Sequence, residues 1–203
     1  IGDSPVMRRM YELIEKVGPT DASVLILGEN GTGKELVARA LHRLSPRKHE
    51  VFLHVDLGAV TSTLFESELF GHIKGAFTDA KTDRAGCFEL AQRGTLLLDE
   101  IGNLTLPLQS KLLSAIQNRE VKRVGSNKVI PIDIRILSAT NLSLNEMSDK
   151  NKLEFRKDLL YRINTVEIRV PPLRERIEDI PLLANHYLKI YCAKYNKPGI
   201  RIE

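Results

Sequence analysis

With 203 residues, 42% of them hydrophobic, and 30 basic against 26 acidic side chains for a formal net charge of +4, the chain is sized for one substantial core, and its mild charge singles out no partner. No apolar run approaches membrane-spanning length and no charged-then-apolar leader opens the sequence, which excludes a transmembrane helix and a signal peptide and leads us to expect a cytoplasmic protein with no membrane partner. Cys87 and Cys192 are far apart and the five histidines form no cluster, so neither a disulfide framework nor a zinc site is expected, while the start at Ile1 reads as that of a piece excised from something longer.

Val6, Met10, Leu13 and Val17 recur at helical spacing after Asp3-Ser4-Pro5 and stop at Gly18-Pro19, which predicts an opening amphipathic helix. Ser23 to Leu27 then reads as a buried strand, Gly28 to Lys34 as a loop, and Glu35 to Leu44 as a helix. Val51 to Val55 reads as a second strand, Ser62 to Phe70 as a short helix ended by Gly71, and Gly71 to Arg84 as an exposed loop or hairpin of the kind that carries function. Thr95 to Asp99 is an apolar strand, and Leu108, Leu112 and Ile116 share one face of the helix after it. Val121 to Val124 and a turn at Gly125-Ser126-Asn127 precede another buried strand, Ile134 to Ala139, which ends in Thr140-Asn141. A fifth strand, Val166 to Val170, meets Pro171-Pro172, and Ile180 to Tyr191 reads as helical. Strands alternating with helices predict an α/β fold: a core with a parallel sheet flanked by helices over residues 1–172, then the start of a helical appendage over 173–203. No internal repeat is evident.

The most informative stretch is Gly28-Glu29-Asn30-Gly31-Thr32-Gly33-Lys34, whose spacing matches a loop that wraps nucleotide phosphates with backbone N–H groups. The glycines allow close approach, the helix N-terminus favours anionic phosphate, and Lys34 can reach the terminal phosphates, so ATP or GTP is the expected ligand. Glu35 stands where a Ser or Thr hydroxyl would help hold magnesium, so the metal must be held by other groups. Gly94-Thr95-Leu96-Leu97-Leu98-Asp99-Glu100 supplies them: Asp99 is the natural metal anchor, directly or through a metal-bound water, and Glu100 is placed to polarise an attacking water. Open α/β sheets bind ligands at the carboxyl ends of their strands, which is where Asn141 falls. The basic stretches at 43–49 and Lys122-Arg123 lack the aromatic interleaving of a single-strand nucleic-acid reader.

Six segments in order, Gly28–Glu35, Glu66–His72, Gly75–Thr78, Gly94–Glu100, Phe155–Arg162 and Pro171–Arg176, give a chain that resembles the central AAA+ ATPase domain of bacterial enhancer-binding proteins, the activators of sigma-54 RNA polymerase. The resemblance covers essentially the whole chain, and that family typically has Gly-Lys-Glu in its phosphate loop. It implies a P-loop AAA+ core followed by a helical lid, and a homo-oligomeric ring, usually a hexamer, with ATP sites between subunits. Hydrolysis there remodels the sigma-54 closed promoter complex. By the family's pattern residues Gly28, Glu29, Asn30, Gly31, Thr32, Gly33, Lys34 and Glu35 cradle ATP, Asp99 holds Mg2+, Glu100 handles the attacking water and Asn141 senses the terminal phosphate. Arg156 and Arg162 are fingers that reach a neighbouring subunit's nucleotide, so a monomer is expected to hydrolyse poorly. DNA contact falls to a domain absent here, and the lid is expected to stop short, which weakens hydrolysis by this piece.

Two positions depart from the family's pattern. The loop that touches the sigma factor usually reads Gly-Ala-Phe-Thr-Gly-Ala, and here it reads Gly75-Ala76-Phe77-Thr78-Asp79-Ala80. Asp79 adds a charge and removes a glycine's freedom at positive φ, at a cost of ~1 kcal/mol if that conformation is needed. A nucleotide-gated regulatory module of the same fold that does not productively engage sigma-54 is therefore the second reading. Asp56 stands where the family commonly has an asparagine that holds the hydrolytic glutamate; an ionised aspartate cannot donate that hydrogen bond, and approach to Glu100 would set two like charges together. An equally open reading has Asp56 ending its strand in solvent.

Overall fold

The structure is a computed structural model and describes residues 1–58, 62–148 and 155–197; the last positions of the expected appendage, 198–203, lie outside them. The elements run α1 (Pro5–Val17), β1 (Val24–Leu27), α2 (Lys34–Arg43), β2 (Phe52–Asp56), α3 (Ser62–Phe70), β3 (Gly71–His72), β4 (Arg84–Ala85), α4 (Cys87–Leu90), β5 (Thr95–Asp99), α5 (Leu106–Asn118), β6 (Glu120–Lys122), β7 (Val129–Pro131), β8 (Arg135–Thr140), α6 (Leu144–Ser148), α7 (Lys157–Ile163), β9 (Val166–Arg169) and α8 (Ile180–Lys194). One-turn 3₁₀ helices sit at Ile101–Asn103, Leu173–Glu175 and Ile177–Asp179.

β2, β5, β8, β1 and β9 form one parallel sheet in that order. Parallel strands need helical crossovers, which cover both faces and make the strands apolar throughout rather than alternating. The side chains divide accordingly. Leu25, Leu27, Leu96, Leu98 and Ile136 point into a cluster shared with α3, α4, α5 and α7, whereas Val24, Ile26, Leu97, Leu137 and Ile168 join α1 and α2 on the other face. The predicted fold class is observed, and the strand and helix positions agree with the sequence reading to within a few residues. Among the described residues no helix is long and apolar enough to cross a membrane.

Some details differ from expectation. The buried stripe of α1 is Met7, Met10, Ile14 and Val17, with Val6 and Leu13 only half-buried. The rotation follows from packing against both α2 and β9, a tertiary constraint that helical spacing alone does not contain. The 71–84 segment is a hairpin closed by β3 and β4, and a second hairpin, β6–β7, packs on it: Ile73 N–H donates to Val124 O and Val124 N–H to Gly71 O, at 3.1 and 2.9 Å.

Arg135 opens β8 yet is only 1% exposed. Its guanidinium donates to the carbonyls of Gly18 at 2.8 Å, Val17 at 3.1 Å, and Ala22 and Leu41 at 3.4 Å. A cation thus serves the carboxyl ends of α1 and α2, where unpaired carbonyls and the helix dipoles favour positive charge. At the other end of α1, Asp179 Oδ1 accepts the N–H groups of Asp3 (2.6 Å) and Ser4 (2.9 Å), and Oδ2 accepts the Ser4 hydroxyl at 2.8 Å. Burial works to raise the Asp179 pKa, but these donors outweigh it and hold the carboxyl below its ordinary range.

Arg135→Met leaves the carbonyl cluster without its donor and is expected to destabilise the chain by about 3 kcal/mol, or roughly 6–12 °C in the melting midpoint by differential scanning calorimetry. Because the folded pKa of Asp179 lies below its unfolded value, its contribution is present at neutral pH and disappears as pH falls through the folded value. Asp179→Asn should therefore lower the urea midpoint at pH 7, with the gap to the parent closing below about pH 4. A gap of constant size across that range would contradict the charged latch.

Candidate functional site

Parallel pairing brings the carboxyl ends of all five strands to one edge of the sheet. Gly28, Asp99 and Asn141 directly follow or end β1, β5 and β8. The loop after β1 needs its glycines: Gly31 and Gly33 lie at φ +79° and +100°, and a Cβ on Gly28 would stand 2.8 Å from the Thr32 hydroxyl and 3.1 Å from Val170 O. Gly33 is the N-cap of α2, so the free amides of that helix open toward the loop.

Lys34 is 7% exposed, and its ammonium donates to Gly28 O (3.0 Å), Asn30 Oδ1 (3.4 Å) and Glu100 Oε1 (3.2 Å). Those three acceptors match its three donors. Glu100 Oε2 in turn accepts the backbone N–H of Asn141 at 3.4 Å. Glu100 takes left-handed backbone angles, φ 54° and ψ 47°, and its N–H bonds back to Asp99 Oδ1 at 3.0 Å. A non-glycine residue there carries a cost of about 1–2 kcal/mol. Such strain is found where structure fixes a side chain for use.

Lys34, Asp99, Glu100, Asn141 and the loop 28–33 are thus brought together. Glu29 faces away from Lys34 and forms a two-pronged ion pair with Arg174, 2.8 and 2.5 Å, which holds its carboxyl below the usual range. Glu35 bonds Arg39 one turn along α2. Arg156 and Arg162 stand apart. Arg156 caps α7, bound to Asp158 (2.8 and 3.1 Å) and Ser110 (2.8 Å), and Arg162 lines a cleft with Asp21, Ser23 and Thr165 at the amino-terminal ends of β1 and β9. That end of the sheet is the far one from this chain's own phosphate loop.

The Gly75–Ala80 loop is also remote from Lys34, at the tip of the β3–β4 hairpin. Gly75 N–H donates to Ala80 O at 2.9 Å, Ala80 is buried, and Phe77 is 38% exposed with its ring edge-on to His72 at 5.0 Å. Asp79 is exposed and is not among the described non-glycine residues at positive φ, so the anticipated backbone cost does not arise in this conformation. Asp56 is exposed, and its Oδ1 accepts the N–H of Gly58 at 2.8 Å, an Asx turn that ends β2. The Glu100 carboxylate bonds to Lys34 and to the Asn141 N–H.

Sequence reasoning missed the wall beside the loop. A cavity of about 770 Å³, mainly apolar, is lined by Tyr11 and Ile14 of α1, Leu36 of α2, and Leu183 and Tyr187 of α8, with Gly31 and Gly33 at its mouth. Its size is that of a small-molecule pocket. Arg176 lies on its rim: Nη2 donates to Thr32 O at 3.3 Å and Nη1 faces Met7 Sδ, while Nε is buried without a partner. The only sequence signal for this arginine was the Pro171–Arg176 segment in the family resemblance; nothing marked the α1 face as anything but core.

The model of the Sigma-54 interaction domain matches residues 1–169. The chain is 50% identical over 198 residues to the transcriptional regulatory protein GlrR of Escherichia coli K12, covering 98% of this chain and 44% of that one. It is 50% identical over 188 residues to the Nif-specific regulatory protein of Azotobacter vinelandii, covering 93% and 36%. The crystal structure of NtrX from Brucella abortus in complex with ATP superposes with a TM-score of 0.91 at 34% identity, covering all of this chain and 43% of that one. The chain therefore spans less than half the length of these relatives. On sequence and architecture alike, it belongs to the sigma-54 interaction domain family.

Proposed function

We propose that this domain is the ATP-hydrolysing module of a sigma-54-dependent transcriptional activator, in which residues 1–172 form the AAA+ core and the chain from 173 begins the helical lid. The observation that carries the reading is the meeting of Lys34 and Glu100 beside a glycine loop whose geometry is built for phosphate. ATP fits the surroundings: the apolar cavity takes a nucleoside, the α2 amides and Lys34 take phosphates, and the unpartnered Arg176 Nε supplies a further donor at the rim. The ATP bound in the NtrX structure supports the same ligand.

Lys34 exchanges Glu100 for phosphate when nucleotide enters. The exchange releases the Glu100 carboxylate, which then orients water for in-line attack, and the backbone N–H of Asn141 keeps that carboxylate at the end of β8. Asn141 also places its side chain at this edge to sense the terminal phosphate. Among the described residues no three His, Cys, Asp or Glu side chains form a metal cage, and none is needed. Magnesium binds through one or two carboxylates, waters and the substrate's phosphates, so Asp99 is the fitting anchor and the ion supplies charge neutralisation. Arg156 and Arg162, remote from this chain's own Lys34, serve the adjoining subunit's nucleotide in a ring, a hexamer in our reading. The Gly75–Ala80 loop contacts sigma-54, and turnover moves it to remodel the closed complex. Such catalysis works by positioning and charge stabilisation.

Glu100→Gln should keep nucleotide binding and lose at least about 10²-fold in turnover, and Arg162→Ala should fall by about 10³-fold or more. If sites are shared, mixing the two inactive variants restores part of the activity, because mixed rings contain interfaces with both wild-type halves. No recovery from rings shown to be mixed would overturn the intersubunit assignment.

The sigma-54 contact is tested by co-elution of the intact protein with sigma-54 in ADP and aluminium fluoride, which stands in for the transferring phosphoryl group. Capture is expected, with Phe77→Ala or Thr78→Ala abolishing it and Asp79→Gly leaving it within a few-fold. Nucleotide-bound rings that capture nothing would instead favour the regulatory module.

A further inference from the structure

β2 sets His54 beside the acidic end of β5. Its side chain is 28% exposed, yet Nε2 is out of solvent and without a hydrogen-bond partner. That nitrogen lies 3.4 Å from Asp99 Oδ2, while Nδ1 lies 3.7 Å from Glu35 Oε1 in the first turn of α2. Glu35 is itself steadied by Arg39, whose Nε and Nη2 reach the same Oε1 at 2.8 and 2.7 Å. The second oxygen of Asp99, Oδ1, accepts the N–H of Glu100. One side of the Asp99 carboxylate is therefore tied to backbone, and the other faces a buried imidazole nitrogen that has nothing else to bond. Buried polar atoms are almost always paired, and an exception calls for an explanation.

We propose that His54 is a positioning residue for the divalent cation, acting through Asp99. A small turn of the ring aligns Nε2–H with Asp99 Oδ2, and the imidazole then spans from α2 to the end of β5. The carboxylate is held at both oxygens, each of which keeps a lone pair for a cation or its waters. Groups that orient a metal's ligands in this way typically matter to metal affinity though they never touch the ion. The arrangement has a local rationale, because Glu35 removes the hydroxyl that commonly assists at this place in the loop, leaving more of the burden on Asp99. The inference rests on the reading that Asp99 anchors the cation.

Calorimetric titration of the 203-residue chain with ADP, in magnesium and in EDTA, tests it without reference to turnover. The parent should bind ADP more tightly with magnesium. His54→Phe keeps a ring and removes the donor, and should reduce the apparent magnesium affinity of the ADP complex by roughly 10-fold, with the EDTA affinity unchanged. His54→Gln places an amide N–H near Nε2 and should restore most of the loss; His54→Ala should behave as His54→Phe. A His54→Phe chain with the parent's magnesium dependence overturns the proposal, as does an equal fall in magnesium and EDTA, the mark of a purely structural role. Asp99→Asn separates the two layers. If it leaves the magnesium effect intact, the anchor assignment fails and the proposal with it; if it removes the effect while His54→Phe does not, only the His54 role fails.

Discussion

Parallel pairing of the central strands is the constraint from which the site follows. A strand flanked by parallel neighbours must be left at its carboxyl end and re-entered at its amino end, so every departure in the sheet occurs at one edge. Polar residues that end β1, β5 and β8 are forced together there, though Gly28, Asp99 and Asn141 are far apart in sequence. The apolar interior of each strand serves the same end. β5 is apolar and buried from Leu96 to Leu98, and its acidic pair, Asp99 and Glu100, comes where the strand stops.

At that edge a small set of charges balances. Lys34 is largely buried and fully engaged, with Glu100 as its only carboxylate partner among the described residues; Glu100 reaches it from a strained backbone. The pair stabilises what would otherwise be an isolated buried ammonium, and the strain is offset by the Lys34 and Asn141 contacts. A phosphate group carries more charge and more acceptor oxygens than one carboxylate, so it competes effectively for Lys34 in the same low-dielectric surroundings. In the proposed function the same lysine couples occupancy of the loop to release of the glutamate.

The sequence made the sheet and loop legible because both rest on local rules. Four or five apolar residues bounded by glycine read as a buried strand, and the Gly28–Lys34 spacing admits few other structures. What stayed hidden depends on distant neighbours. His54 is one histidine in a strand, and only the parallel register with β5 sets it beside Asp99. Arg135 looks like a strand-edge charge until the ends of α1 and α2 are seen to converge on it. The cavity wall was read as core because an apolar face looks the same whether it packs on protein or on a ligand. The Asp56 and Asp79 departures were visible as letters, but the backbone at each was not: an Asx turn in one case and an ordinary φ in the other.

The connection from the site to the exposed loop is continuous in covalent and hydrogen-bonded structure. Glu100 leads through the turn at Ile101–Asn103 into α5, and α5 leads into the β6–β7 hairpin, whose Val124 is bonded to Gly71 and Ile73 at the base of the hairpin carrying Phe77. Arg123, beside Val124, forms a two-pronged pair with Glu89 at 2.8 and 2.7 Å and so ties this unit to α4. A shift of Glu100 that tilts α5 must therefore move both hairpins together or break these bonds. Because packed elements move between discrete arrangements more readily than they deform, this path is the one by which, in the proposed function, a change in the partner Lys34 holds would reach Phe77.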